Sequence, residues 1–306
     1  HLFRALAAGP EFEFRFAVNE VSKRLVHECP SVRRSALWAY SCVAKKDEVF
    51  IAVKACIESE DNRENQVEAL SILCQHIVDL DGGQATALAS TCLEQDNHPL
   101  RRKAVQVLDA LGLKGDEDAI AALFAALHHR SEAVRAHAVI ALGKHGENAI
   151  AAMSVLRNET CTDVKAALLQ TLHSSRSARS SSVCQGAISL ANHFLVDQSW
   201  QIRLAAMQAL SVLLSREDFV PLLVDLVKDD HPAMRESALQ MLGQAVIPGD
   251  KKAVSIAISS ADDSDARVRQ AAMWVLHRIA KKGDHQAIAA ARARRSDDFA
   301  IVRVAA

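Results

Sequence analysis

The sequence predicts an all-α fold in which pairs of helices stack as a repeat, and two observations support this. The first is composition: half of the 306 residues are hydrophobic, yet Phe, Trp and Tyr number only 9, 3 and 1. Ala and Leu must therefore supply most of the apolar surface. With only 6 Pro and 11 Gly, this composition favours helices over β-sandwiches and barrels. The second observation is a short pattern that recurs about every 34 residues.

The recurring pattern is an aliphatic residue, then a basic residue, then Ala and Leu at helical spacing. We call the basic residue the anchor cation, and each copy predicts the start of one helix, helix A. Successive copies are 30 to 38 residues apart, a period typical of repeat proteins. The copies are Val32-Arg33, Leu100-Arg101, Val134-Arg135, Val164-Lys165, Ile202-Arg203, Met234-Arg235, Val268-Arg269 and Val302-Arg303, with a degenerate copy at Asn65-Gln66.

A second pattern follows about 16 residues after the anchor and predicts a tight turn into another helix, helix B. A glycine there can adopt the left-handed conformation that ends helix A, and an aspartate can cap the free N–H groups of helix B. The glycines are Gly115, Gly146, Gly249 and Gly283. Asp116, Asp250 and Asp284 follow three of them, whereas Glu147 is a poorer cap.

Each predicted helix has an apolar stripe that it cannot bury alone. Helix A has apolar residues at helical spacing, as in Val134, Ala138 and Leu142, and helix B has a similar stripe, as in Ala119 and Leu123. Neighbouring pairs must therefore stack. The sequence predicts a right-handed α-solenoid of about nine repeats, forming a single continuous solenoid over residues 1–306. A Ser/Arg stretch at 174–182 is expected to be an insertion at a turn, with phosphorylation-controlled docking as the alternative.

The segments Glu132–Gly143 and Asp230–Gly243 resemble the short HEAT repeat, including the HEAT-like units of phycocyanobilin lyases. The resemblance covers essentially the whole chain. It implies a HEAT solenoid, a fold that serves scaffolds, adaptors, transport receptors and occasional enzymes. Tetratricopeptide repeats have the same period, but their Trp-Leu-Gly-Tyr and terminal Pro landmarks are missing here.

The anchor cations have two interpretations, a phosphate-binding stripe and a structural ladder. The HEAT resemblance implies a ladder in which these cations pair with acidic turn residues, such as Asp163, Asp197, Asp230 or Asp265, between adjacent repeats. We expect the ladder. Its members are Arg33, Arg101, Arg135, Lys165, Arg203, Arg235, Arg269 and Arg303.

The same resemblance implies that helix B of each repeat lines a concave face where a partner binds. Polar residues off its apolar stripe are the partner-binding candidates: Glu117, His128, Asn148, Lys251, Lys252, His285 and Gln286. Trp200 lies at a turn and is added as a candidate exposed contact. Trp38 and Trp274 share one position, six residues after the aliphatic residue, which we interpret as packing, with a surface hot spot as the alternative.

The sequence offers little support for catalysis, and we expect no cofactor and no enzymatic activity. HEAT-like deoxyhypusine hydroxylases hold a di-iron centre with four His-Glu dipeptides, whereas this chain has one, His27-Glu28. His128 and His129, with His137 and His145 beyond, form the densest histidine cluster, which is expected to be polar surface rather than a zinc site. No nucleophile motif, phosphate loop or dinucleotide motif is present.

Charge and cysteine usage limit the partners. With 36 basic and 37 acidic residues, no global field attracts nucleic acid, and no apolar run approaches the roughly 20 residues that span a bilayer. Nucleic acid is an unlikely partner on this evidence, and we expect no membrane insertion. Seven cysteines without a Cys-x-x-Cys motif suggest a reducing intracellular compartment, cytoplasmic or organellar, and no targeting segment is visible.

The expected function is a non-catalytic scaffold or adaptor that binds other proteins, as a subunit of a larger complex. Two alternatives remain open: an accessory factor for chromophore or cofactor attachment, by resemblance to the bilin lyases, and a nucleic-acid-binding HEAT protein. Neither end of the sequence has a polar capping helix. We therefore expect the chain to be part of a longer array.

Overall fold

The computed structural model describes residues 11–76, 81–146, 153–174 and 182–306, and throughout these ranges the regular structure is helical, without a strand. Short 3₁₀ helices span Lys23–Val26 and Met153–Asn158. The α-helices are α1 (Glu11–Ser22), α2 (Pro30–Val43), α3 (Lys46–Ser59), α4 (Arg63–His76), α5 (Gly82–Leu93), α6 (His98–Gly112), α7 (Glu117–Ala126), α8 (Glu132–Leu142), α9 (Thr162–Ser174), α10 (Ser182–Phe194), α11 (Trp200–Leu213), α12 (Arg216–Leu226), α13 (Pro232–Ala245), α14 (Lys251–Ser260), α15 (Ala266–Ile279), α16 (His285–Arg294) and α17 (Ala300–Ala305).

The helices follow the predicted alternation. Every anchor position lies near the start of a helix A, and these helices are α2, α4, α6, α8, α9, α11, α13, α15 and α17. Helices B are α1, α3, α5, α7, α10, α12, α14 and α16. Between α8 and α9 the described residues include the 3₁₀ helix, while 147–152 lie outside them, and with them the candidate Asn148. The all-α repeat fold is confirmed.

The chain divides into two compact units, His1–Leu168 and Leu169–Ala306. In the first unit, α2 packs on α4, α4 on α6 and α6 on α8, while α5 packs on α7. In the second unit, α11 packs on α13, α13 on α15 and α15 on α17, while α14 packs on α16. Helices A thus stack on helices A within each unit, and B on B in the pairs named. The expectation of one continuous solenoid over residues 1–306 stays a prediction.

The apolar stripes form the core, as α8 illustrates. Val134, Ala138, Val139 and Leu142 are all buried, and they recur at the spacing that places them on one side of a helix. Burying a side chain the size of leucine stabilises the fold by roughly 1.5–3 kcal/mol. Small residues let the helices approach each other: a Cβ added to Gly243 in α13 would lie 2.9 Å from a methyl carbon of Val275 in α15.

The turns between helices A and B have the predicted chemistry. The four repeat glycines, Gly115, Gly146, Gly249 and Gly283, all have φ between 86° and 91°. At the first of these turns, the Asp116 carboxylate accepts the Ala119 N–H at 2.9 Å. Asp250 and Asp284 likewise accept N–H groups of the first turn of α14 and α16. Turn and cap together reverse the chain within a few residues, which places the first turn of each helix B at one edge of the repeat.

One feature differs from the sequence prediction, and another lies outside the described residues. Trp38 and Trp274 are 47% and 59% exposed, so the interpretation of their shared position as packing is wrong. That position faces away from the buried stripe, and Ile140, which occupies it in α8, is exposed as well. Most of the Ser/Arg stretch, residues 175–181, lies outside the described residues.

Candidate functional site

The anchor arginines bind carboxylates that come from the next repeat. Arg235 is representative: its Nε and Nη2 donate to the two carboxylate oxygens of Asp263 at 2.7 and 2.8 Å. Two-point pairing of this kind matches the planar guanidinium fork to the carboxylate. Five such pairs are present in the described residues: Arg33–Glu60, Arg135–Glu159, Arg203–Asp229, Arg235–Asp263 and Arg269–Asp297. We call each pair a rung.

Each carboxylate also connects one rung to the following one. The Asp263 carboxylate accepts the N–H of Asp265 at 2.9 Å, while the Asp263 backbone carbonyl accepts from Nη1 of Arg269, also at 2.9 Å. The residue in the carboxylate position always precedes the next anchor position by six residues. Adjacent loops of each unit are therefore held by an alternating series of side-chain and backbone hydrogen bonds.

Pairing with arginine lowers the pKa values of these carboxyl groups. The hydrogen bonds from Arg33 lower the pKa of Glu60 to about 2, although burial opposes the shift. Those from Arg269 lower the pKa of Asp297 to about 2 in the same way. Both groups therefore stay ionised in the fold at any pH near neutrality, and the rungs are pairs of full charges.

The sequence misassigned three of the acidic partners. At the first of these loops the rung carboxylate is Glu159, not Asp163. Asp230 contributes its backbone carbonyl to Arg235, and Asp265 caps α15 and pairs with Arg267 at 3.2 Å. The rung carboxylates at these loops are Asp229 and Asp263 instead. The signal that identifies them is the constant six-residue spacing to the next anchor cation, a distance that can be read directly from the sequence.

The remaining predicted ladder residues have different surroundings. Arg303 donates from Nη1 to the carbonyls of Asp297 and Asp298 at 2.7 and 2.9 Å. Lys165 lies in the first turn of α9, where its N–H bonds to the Cys161 carbonyl. Arg101 donates from Nη1 to the Gln95 carbonyl at 2.9 Å, but the residue in its carboxylate position is not acidic.

At the degenerate copy, Gln66 takes the place of the cation. Its Nε2 donates to the Glu60 carbonyl at 2.9 Å, so an amide makes the backbone contact that an anchor arginine makes elsewhere. The buried Asn65 replaces the aliphatic residue and donates to the Glu60 carboxylate, also at 2.9 Å.

The structure divides the partner-binding candidates between two edges of the repeats. Five of them are exposed in the first turn of a helix B, beside the turn from helix A: Glu117, Lys251, Lys252, His285 and Gln286. His128 is exposed at the opposite end of its helix B. Trp200 is at that same edge but only partly exposed, because its indole stacks on the His231 ring with 4.4 Å between centroids.

The histidine cluster is dispersed, and two of its members are buried. His128 is exposed, but the side chains of His129 and His145 are almost fully covered, which corrects the expectation of a polar surface cluster. His145 Nε2 is 3.1 Å from an oxygen of Asp109, which also pairs with Lys144. Across the described ranges, no three His, Cys, Asp or Glu residues are grouped so that they could hold a metal ion.

A search for membrane-crossing helices finds none of sufficient length and apolarity in the part of the chain that the structure describes.

Comparison with known sequences identifies the family. A profile of HEAT repeats matches residues 85–173 and 187–276, which is more than half of the chain. The chain therefore belongs to the HEAT-repeat family. No curated protein sequence matches it.

Comparison with solved structures shows the same fold in much larger proteins. Kap121p bound to Pho4p is 13% identical with a TM-score of 0.61, and the match covers 99% of this chain and 42% of that one. Importin beta in an ammonium sulfate condition is 13% identical (TM-score 0.62; 90% and 42% covered), and Kap95p in complex with RanGDP is 12% identical (0.62; 94% and 42%). The chain thus spans about two-fifths of each neighbour, and at these identities the likeness is one of fold.

Proposed function

We propose that this chain is a non-catalytic scaffold that binds another protein through the helix-B side of its repeats and takes part in a larger complex. The observation that carries the proposal is that the polar residues which hold the repeats together differ from the polar residues that are open to a partner. The rung residues are covered and hydrogen-bonded, whereas the polar residues in the first turns of helices B are exposed. Within the described residues, neither Lys251 nor Lys252 forms an ion pair with a carboxylate.

Proteins of similar fold support a protein partner. Structures of Kap121p are described as bound to Pho4p, to the extreme C-terminus of the protein phosphatase Cdc14p and to the SUMO protease Ulp1p. One stack of helix pairs can thus accommodate several different proteins. This is the behaviour expected of a long surface built from many similar helix ends.

The second unit has a group of four lysines along this edge. Lys251 and Lys252 begin α14, and Lys281 and Lys282 occupy the next turn, beside Gly283. All four are exposed, and the aliphatic part of Lys281 lies against Gly249, so the two turns are in contact. We propose that this edge binds an acidic stretch of the partner, since opposite charge at an interface increases both encounter rate and specificity.

The test is capture from the native source with the tagged chain, identification of the retained proteins, and affinity measurements with the purified partner. Charge reversal of Lys251 and Lys252 to Glu should weaken partner binding at least tenfold. The matched control reverses Lys228 and Arg295, two exposed cations at the opposite ends of α12 and α16, and should change the affinity less than twofold. Unchanged affinity in the first variant, or salt-sensitive retention of nucleic acid in place of a protein, contradicts the proposal.

A further inference from the structure

One rung keeps its cation but has lost its carboxylate. In the rung of Arg101 the carboxylate position is occupied by His129, six residues before Arg135. Its backbone carbonyl accepts from Arg135 at 2.9 Å, as the Asp229 carbonyl does from Arg235. Its Nδ1 accepts the Ser131 N–H at 2.9 Å, as rung carboxylates accept the N–H two residues on. His129 therefore reproduces every rung contact except the one with the cation.

The missing contact leaves two buried donors without an acceptor. A carboxylate can accept several hydrogen bonds, but a neutral imidazole has one acceptor nitrogen, and Ser131 already uses it. The proton of the neutral ring is therefore on Nε2, which cannot accept from Arg101. Nε of Arg101 and Nε2 of His129 are both buried without a hydrogen-bond partner, in side chains that are only 13% and 6% exposed.

Nearby acidic residues do not complete this rung. Asp96 is 3.7 Å from Nη1 of Arg101, but its side chain is almost entirely in solvent. The Glu94 carboxylate is 3.8 Å from Nε2 of His129, beyond hydrogen-bond distance, and is 72% exposed. Buried donors without acceptors are rare and costly, so this position has the properties of a site that awaits a negatively charged acceptor.

A cavity of about 370 Å³ opens beside this rung, and His129 forms part of its wall. His128 and Arg130 are at the exposed rim, and the apolar side includes Leu93 and Ala126. Glu94 also lines this rim. The two basic groups and the apolar lining suit a side chain that has an aliphatic stem and a carboxylate end, whereas the charge of Glu94 opposes it. The volume is several times that of a carboxylate group alone, so a peptide backbone can enter with it.

We propose that this open rung binds the carboxylate of a glutamate or aspartate on a peptide segment of a protein partner. The incoming group accepts from Nε2 of His129 at the cavity wall and supplies beside this rung the negative charge that Glu60, Glu159 and the rung aspartates supply elsewhere. The inference rests on the proposed scaffold function and defines the chemistry of one partner contact in the first unit.

The test uses the full chain and a fluorescein-labelled, C-terminally amidated peptide of Gly, Ser and three Glu, with the same peptide carrying Gln as its control. By fluorescence anisotropy the chain should bind the Glu peptide at least tenfold more tightly than the Gln peptide. His129→Asp supplies the missing carboxylate internally. It should abolish that preference and raise the Tm by about 2 °C or more. Glu94→Gln removes a competing negative charge and should tighten binding of the Glu peptide at least twofold.

Three results overturn the inference: no preference for the Glu peptide, a preference that survives in His129→Asp, or a Tm that does not rise in that variant. Sodium acetate binding as tightly as the peptide overturns the peptide partner, because the site would then be one for small carboxylates. A different result would contradict the scaffold proposal. Loss of peptide preference with partner capture intact contradicts only the open rung, whereas unchanged partner affinity after reversal of Lys251 and Lys252 contradicts only the helix-B edge.

Discussion

Arg269 and Asp297 are joined by two hydrogen bonds of 2.8 Å although they are 28 residues apart in the chain. The same guanidinium donates from Nη1 to the carbonyls of Asp263 and Ser264. One side chain thus connects two consecutive loops between repeats. Because both charges are largely covered, removing one partner leaves the other buried without compensation, which costs more than the intact pair contributes.

Removal of a rung arginine should therefore destabilise the fold. We expect Arg235→Ala and Arg135→Ala each to lower the free energy of unfolding by about 1–3 kcal/mol, since a buried carboxylate loses a charged donor. The control is Arg267→Ala, an exposed arginine that pairs with Asp265 two residues away, for which little or no change in stability is expected because solvent screens an exposed pair. Urea unfolding measures all three. If the rung variants match the control, the phosphate-stripe interpretation of the anchor cations becomes the better one.

The rungs also predict how stability depends on pH. The folded-state pKa of Glu60 is about 2, against its usual 4.5, because Arg33 donates to it. Between these values the unfolded chain binds the proton and the folded chain does not. The stabilisation is therefore complete above pH 4.5 and is lost as the pH falls towards 2.

Glu60→Gln should remove this contribution. Its free energy of unfolding at pH 7 should be lower than that of the wild type, and the difference should shrink as the pH falls from about 5 to 2.5. Glu117→Gln, at an exposed helix start, serves as the control and should follow the wild-type curve. A Glu60→Gln curve parallel to the wild type over this range would show that the carboxylate makes no such contribution.

The sequence was sufficient for the parts of the fold that local chemistry determines. The turn at Gly115 needs a positive φ, and Asp116 caps the helix that follows, so both features are visible in a few adjacent residues. The buried stripe of α8 can likewise be read from the spacing of Val134, Ala138 and Leu142. A feature that depends only on neighbouring residues recurs at the same place in each repeat, so it can be recognised in the sequence.

Contacts between repeats were harder to predict. The rung partner of Arg235 is 28 residues away. The six-residue spacing that separates Asp263 from its neighbour Asp265 is present in the sequence, but it identifies the partner only once the contact between the loops is known. The burial of Trp38 was predicted wrongly. A repeat position shared with Trp274 indicates that the two side chains point the same way, but not whether that side of the helix is buried. The spacing places His129 in the rung of Arg101, but the sequence does not show that its Nε2 and the Nε of Arg101 are left without a hydrogen-bond partner.

The turn glycines provide a direct test of backbone strain. Gly115 has φ +91° and nothing within 4 Å of an added Cβ, so Gly115→Ala changes conformation without creating a clash. We expect a loss of roughly 1–2 kcal/mol, because L-residues rarely adopt this backbone region. Gly186→Ala is the matched control. Gly186 is an exposed glycine within α10 with equally open surroundings, so alanine there should stabilise by roughly 0.5–1 kcal/mol. Equal effects of the two substitutions, measured by urea unfolding, would contradict the positive φ at Gly115.

Trp200 and Trp274 should differ in their contact with solvent, and fluorescence can measure the difference. Trp274 is 59% exposed on α15, whereas the indole of Trp200 is partly covered and stacks on His231. In variants that retain one tryptophan and carry Phe at the other two positions, Trp274 should emit at longer wavelength. Acrylamide should also quench it more strongly than Trp200, because water and quencher reach more of its ring.

Unfolding in urea is the control for this comparison, since both single-tryptophan variants should then give the same emission maximum and quenching. Acrylamide quenching in the folded state follows the access of solvent to the two side chains, so it tests which side of its helix A Trp274 occupies. If Trp274 in the folded chain were quenched no more than Trp200, its position on α15 would face the core. That result would support packing, rather than exposure, at the position that Trp38 and Trp274 share.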